Sequence, residues 1–165
     1  VSTGKPFRLR DATPNDVAEI TRLVKALAVY EELGDEAQAG PDDFHRALFG
    51  PVPRAHAMLA EMDGRAVGFA LWFYNFSTFV GRAGLYVEDV FVEPQSRGLG
   101  IGKAFFQVLA KRAVAENCGR MEWSVLDWNA PAIAFYRGIG AVPMGEWTVQ
   151  RLSGDALLAL AEPAE

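Results

Sequence analysis

The stretch "LYVEDVFVEPQSRGLGIGKAFF", residues 85–106, decides the fold. Its first eight residues form an apolar run rich in β-branched and aromatic side chains, which predicts a strand, and residues 101–116 carry helical amphipathic spacing. Between them stand Gly98, Gly100 and Gly102, at every second position, followed by Lys103. Glycine removes the Cβ that would keep backbone away from a ligand, and it allows dihedrals that turn successive N–H groups inward. The helix that follows presents its unpaired amides and positive dipole end to the same spot. Arg97 and Lys103 add positive charge. The turn therefore reads either as a pyrophosphate site or as an ordinary tight connection. Two common phosphate loops are excluded. A Walker A loop would need glycine at Arg97 and Ser or Thr at Ala104, and a Rossmann turn would need glycine at Lys103.

Outward from this turn, "FRLR" (7–10) predicts a first strand. "TPND" (13–16) opens a helix: Thr13 caps it, Pro14 suits the first turn and Asp16 favours the positive end. Val17, Ile20, Leu23, Val24 and Leu27 recur at helical spacing, with Gly34 as the expected stop. A short helix is expected near "PDDF" (41–44). "AHAMLAEM" (55–62), the turn Asp63–Gly64 and "AVGFALWFY" (66–74) predict a hairpin. After the loop 75–84 and the strand 85–92 come the helix 101–116, a strand at 120–126 and a helix at 129–138. One or two closing strands are expected within 141–152, and a terminal helical turn in "SGDALLALAE" (153–162). No internal repeat or linker interrupts the order. Residues 1–165 thus predict a single α/β (α+β) domain, with a mixed central sheet of six to seven strands flanked by helices on both faces.

A chain of 165 residues can bury one good core. Its longest clear apolar run, "VGFALWFYNF" (67–76), suits a buried strand and is too short to span a bilayer. "VSTGKPFRLR" at the start lacks the apolar centre of a secretory signal, and Cys118 is the only cysteine, so a cytoplasmic protein is expected. The net charge of −5, with no long basic run, argues against broad capture of nucleic acid. Trp72, Phe73 and Tyr74 accordingly predict sheet core, not a base-stacking platform. A cationic small substrate fits this balance, and so does plain solubility. His45, His56 and Cys118 lack metal-ligand spacing, so no metal is expected.

The run from Gln95 through Gly98 and Gly100, Q-x-x-G-x-G, resembles the acyl-coenzyme A signature of the GNAT superfamily of N-acetyltransferases. "NAPAIAFYRGIGA" (129–141) resembles the second signature of that superfamily, in the expected order and about thirty residues on. "LAVYEEL", "GLYVEDVFV", "RGLGIGKAFF" and "WNAPAIAFY" are similar more narrowly to the diamine acetyltransferases acting on spermidine, spermine and thialysine. The likeness is weakest between 35 and 55 and after Tyr136, which bears on substrate choice.

The resemblance implies the GNAT fold, acetyl-CoA as co-substrate, and a homodimer. It implies that the pantetheine arm runs beside the main chain of Val90, Phe91 and Val92. The pyrophosphate would rest on Gly98, Leu99, Gly100, Ile101, Gly102 and Lys103, with Gln95 and Arg97 at the same turn, and Asn129, Ala130, Pro131 and Ala132 would border the cofactor. Tyr30 and Glu31 match the helix-end pair that lines the amine site; taken alone, "EELGDE" is a solvated helix end. Glu122, Trp123 and Ser124 fall where the family touches substrate, and Glu146 and Trp147 are weaker pocket candidates.

Acetyl transfer from a thioester to an amine sets two proton problems. An alkylammonium with a pKa near about 10 must lose a proton, and the departing thiolate leaves more readily if one reaches it. Glu88 and Asp89 interrupt an apolar strand, where strict alternation puts Glu88 on a face with Tyr86, Val90 and Val92. A carboxylate in such surroundings is a raised-pKa base, an anchor for an ammonium, or half of a buried salt bridge. The resemblance gives Glu88 the substrate contact and the candidate base, with Asp89 as support. Tyr136 is an aromatic packing residue beside Phe135 on spacing alone; within the second signature it is the general acid for the coenzyme A sulfur. The expected chemistry is direct attack in a ternary complex, since no activated nucleophile is apparent. Two rivals remain: acetylation of protein or peptide amines, and an acyl-CoA-binding sensor without turnover.

Overall fold

The structure, a computed structural model, describes residues 6–162. The first five residues, on which part of the N-terminal reading falls, lie outside that range. The chain forms two compact units, residues 1–126 and residues 127–165.

In the first unit, strands β1 (Arg8–Asp11), β2 (His56–Met62), β3 (Arg65–Ser77), β4 (Arg82–Val92) and β5 (Met121–Glu122) form one mixed sheet in sequence order. The first three pairings are antiparallel and the last is parallel. Helices α1 (Val17–Tyr30) and α2 (Pro41–Phe49) precede β2, and α3 (Ile101–Ala115) joins β4 to β5. The second unit holds α4 (Ala130–Gly138) and α5 (Gly154–Ala161).

Local chemistry explains the boundaries. Ahead of α1, the Asp16 carboxylate accepts from the Thr13 N–H at 2.7 Å and its hydroxyl at 2.8 Å, so the start is capped from Asp16 back to Thr13. The helix stops at Tyr30, four residues before Gly34. Glu32 takes the left-handed conformation (φ 61°), and the Leu33 N–H reaches the Ala28 carbonyl at 2.8 Å. The Asp63–Gly64 turn has positive φ at both residues (50° and 76°), as the hairpin requires. The expected loop 75–84 is largely strand, because β3 runs to Ser77 and β4 begins at Arg82.

The sheet has five strands among the described residues, fewer than the six to seven expected. The expected strand 120–126 pairs only at Met121 and Glu122, and residues 141–152 contain none. Val142, Met144, Trp147 and Val149 carry strand-like side chains, yet all four are exposed. A strand needs a neighbour's hydrogen bonds as well as suitable side chains, and no strand pairs with this segment.

One face of the sheet carries the core beneath α1 and α2. Ile20, Leu23 and Leu27 of α1 and Leu48 of α2 pack on Ala57, Leu59, Phe69, Leu71 and Phe91. Each fully buried aliphatic or aromatic side chain contributes about 1.5–3 kcal/mol.

Candidate active site

Pairing between β3 and β4 decides which side chains share the α1 face. Phe69 lies opposite Phe91, Leu71 opposite Asp89 and Phe73 opposite Tyr86. Directly opposed residues share a face, and Phe69, Leu71 and Phe73 alternate onto one face of β3. Phe91, Asp89 and Tyr86 therefore share it too. Ala70 and Trp72 oppose Val90 and Val87 on the other face. Glu88 has no opposite residue, because the register shifts there: it is a β-bulge. The strict alternation expected from sequence ends at this point. Tyr86 shares its face with Asp89, not with Glu88, Val90 and Val92.

Glu88 is exposed and Asp89 half-buried. The Asp89 carboxyl is pushed up to about 7, first by burial and then by the nearby charges of Glu88 and Glu31. Burial also raises the carboxyl of Glu31, the residue just past the end of α1. Among the described residues, no hydrogen bond or ion pair reaches the side chains of Glu31, Glu88 or Asp89. Such a cluster lacks a cation, and a ligand ammonium would supply one. Asp89 is the group that sequence reasoning undervalued: its face depends on a bulge set by the facing strand, and no local pattern announces that.

Tyr30 packs on Phe91 with ring centroids 6.4 Å apart. The Arg97 guanidinium lies 4.5 Å from the Tyr30 ring centre, and its Nε donates to the Val92 carbonyl at 2.9 Å. Arg97 thus ties the glycine turn to the end of α1. Of the remaining substrate candidates, Glu122 is engaged by Arg120 at 2.8 Å and Asn75 at 3.3 Å. Trp123 packs edge-on to Phe106 of α3 at 4.8 Å. The Ser124 hydroxyl hydrogen-bonds the Tyr86 hydroxyl at 2.9 Å, on the face that carries Asp89.

The turn has the geometry its glycines predict. Gly98 and Gly100 both have φ 81°, the left-handed region, and Gly100 caps α3. The N–H groups of Ile101, Gly102 and Lys103 open the helix without acceptors among the described residues. Gly102 needs no special φ, yet nothing lies within 4 Å of where its Cβ would stand. That open cradle above three unpaired amides fits a diphosphate. Lys103 and Leu99 are exposed beside it, and Gln95 donates to Glu93 at 2.9 Å. Upstream, β5 pairs only Leu85 and Tyr86, so Val90, Phe91 and Val92 have no strand neighbour on that edge among the described residues. An extended ligand could add there as a strand would.

In the second unit, Asn129 is buried and its Oδ1 accepts from the Ala132 N–H at 3.3 Å, capping α4. Ala130 and Pro131 occupy the first turn. Tyr136 packs against Phe135 with centroids 5.6 Å apart. Glu146 and Trp147 are exposed. No cluster of three metal-ligating side chains occurs among the described residues, and no helix among them is long and apolar enough to cross a membrane.

Residues 21–141 match the model of the Acetyltransferase (GNAT) family. A thialysine N-epsilon-acetyltransferase of Bos taurus is 33% identical over 164 residues, covering 93% of this chain and 96% of the bovine protein. An L-ornithine N5-acetyltransferase of Arabidopsis thaliana is 31% identical over 198 residues, covering 93% of this chain and 87% of the plant protein. Among solved structures, an integron cassette protein from the mobile metagenome of V. cholerae superposes with a TM-score of 0.81 at 27% identity, over 97% of this chain and 100% of that one.

Proposed function

Because this chain belongs to the acetyltransferase (GNAT) family, whose members use acetyl-CoA, we propose that it acetylates a primary amine of a small cationic molecule. A polyamine, or a lysine-like amino acid of the thialysine or ornithine type, is the acceptor class that the relatives' activities support. One observation carries this reading. A single strand, β4, supplies an unpartnered acidic pair at 88–89 and an unpaired edge at 90–92, and it ends in the glycine turn.

Acetyl-CoA brings the thioester. The chain's part is to hold it along Val90–Val92 and over Gly98–Lys103, with Asn129–Ala132 bordering it, and to manage two protons. Tyr30, Glu31, Glu88 and Asp89 attract the ammonium by charge and ring face. Glu88 accepts its proton. Its charge lies close enough to Asp89 to help hold the Asp89 carboxyl up. Tyr136 carries a phenol O–H, and it donates to the departing thiolate. The amine attacks the thioester directly, without an acyl-enzyme.

The family match runs past Leu126, which supports reading both units as one acetyltransferase domain. A homodimer in a reducing, cytoplasmic setting completes the proposal. Phe79, 97% exposed in the β3–β4 hairpin, with Phe76 and Val80 exposed beside it, offers apolar surface for a second copy. The deciding experiment follows coenzyme A thiol release from acetyl-CoA over polyamines, thialysine, ornithine, lysine, amino sugars and short peptides. The highest kcat/KM is expected on a diamine or lysine-like acceptor. Turnover confined to peptide amines, or binding of acetyl-CoA without turnover on any acceptor, would overturn the reading.

A further inference from the structure

Glu93 is the residue between the last pair of β4 and the glycine turn, and it is only 5% exposed. Its carboxylate accepts from Arg22 of α1, from both terminal nitrogens of Arg65 at the start of β3 (2.7 Å each), and from Gln95 in the turn (2.9 Å). Its N–H donates to the Val67 carbonyl at 2.9 Å, and its carbonyl accepts from the Ser96 N–H at 2.9 Å. One carboxylate thus joins helix, sheet and turn. Burial pushes it up, and the hydrogen bonds from Arg22 and Arg65 more than reverse this, holding it below the ordinary carboxylate value.

Beyond Glu93 the turn is lightly tethered. Gly98, Leu99 and Gly100 are exposed, and apart from the Gln95 bond, the side-chain ties from residues 94–100 among the described residues are those of Arg97, to the Val92 carbonyl and over the Tyr30 and Phe91 rings. A glycine-rich loop left to itself must be ordered when a ligand arrives, and that ordering subtracts from affinity. Charge-assisted bonds to a buried carboxylate order its entrance in advance.

We propose that Glu93 is the positioning residue of the cofactor turn, holding the chain that enters Gly98–Lys103 in the arrangement that receives the diphosphate. The inference rests on the diphosphate reading of that turn. Glu93 touches no substrate, so its loss acts on acetyl-CoA binding and not on the chemical step. A purely structural ion-pair cluster would instead lower stability and leave the KM of the surviving folded enzyme unchanged.

Glu93→Gln keeps the shape and removes the charge. Acetyl-CoA KM, and the Kd for coenzyme A by titration calorimetry, should rise roughly tenfold, with kcat and the amine KM unchanged within about twofold. Arg65→Met removes two of the four donated bonds from a side chain that is 53% exposed, which keeps the fold safe, and should raise the same KM roughly threefold. A melting temperature lowered by Glu93→Gln with acetyl-CoA KM at the wild-type value would overturn the inference. If Glu93→Gln does not fold, an unchanged KM in Arg65→Met overturns it equally. Failure of the wild-type protein to bind coenzyme A removes the diphosphate reading and this inference together, whereas wild-type binding with unchanged variants removes this inference alone.

Discussion

Replacing Asp89 with Asn should stabilise the folded chain above neutral pH while lowering its activity there. The folded carboxyl sits at about 7, raised by burial first and by the charges of Glu88 and Glu31 after it, against about 3.9 in an unfolded chain. The sign follows from linkage. A raised acid contributes its full stability below the unfolded value and loses it as pH climbs through the folded one. Ionising such a group costs about 4 kcal/mol at complete burial. Asp89 is half-buried, and solvent screening brings this to ~2 kcal/mol. Urea unfolding from about pH 3 to about pH 8.5 should therefore show the wild type losing ~2 kcal/mol relative to Asp89→Asn. Thiol-release assays over the same range should show a kcat/KM limb near neutrality in the wild type and none in the variant. Stability profiles of the two proteins running parallel throughout would refute the claim that Asp89 is a desolvated carboxyl, and with it the poised acidic pair.

Tyr136→Phe should reduce kcat by about 10²–10⁴ with acetyl-CoA KM little changed; full turnover at saturating substrates would remove Tyr136 from the mechanism. Glu88→Gln should reduce kcat/KM for cationic amines roughly 100-fold, as expected of a lost base, and leave coenzyme A binding by calorimetry untouched. Gly102→Ala separates fold from function. Gly102 lies in the first turn of α3 with open space at its Cβ position, so alanine should stabilise by about 0.5–1 kcal/mol in thermal melts. The same methyl should weaken acetyl-CoA binding by occupying the cradle, and unaltered binding would show that the diphosphate lies elsewhere.

How much of this was legible in the sequence depended on the range of the forces involved. The glycine turn could be read because positive φ at Gly98 and Gly100 is a local demand that few other residues meet. The Asp63–Gly64 hairpin and the apolar stripe of α1 were legible for the same reason: each is settled within a few residues. The stop of α1 was misplaced because Glu32, a poor choice for a left-handed position, adopts it to close the hydrogen bond from Leu33 to Ala28. Residues 141–152 read as strand from their side chains, but pairing is a property of two segments, and among the described residues none pairs with this one. The ion-pair partners of Glu93 lie 71 and 28 residues away in sequence, beyond any local pattern.

The bulge at Glu88 shows why β4 could be read as a strand yet misread as a surface. Without the extra residue, alternation would turn Asp89 from the α1 face to the α3 face and bring Glu88 in its place. With it, Tyr86, Asp89 and Phe91 all face α1, and Tyr30 and Glu31 at the end of that helix face the same carboxylate field. One inserted residue thus leaves an exposed acid, Glu88, beside a half-buried one, Asp89, whose carboxyl burial pushes up. The proposed acid–base site draws on that difference in surroundings. The same strand has no β5 partner beyond Tyr86 among the described residues, and the turn after Val92 leads to the amides that open α3. On the proposed reading, a carboxylate for the amine and a dipole for the diphosphate are therefore spaced by β4 and the turn after it, and shifting the bulge by one residue would change the face of the acid without moving the turn.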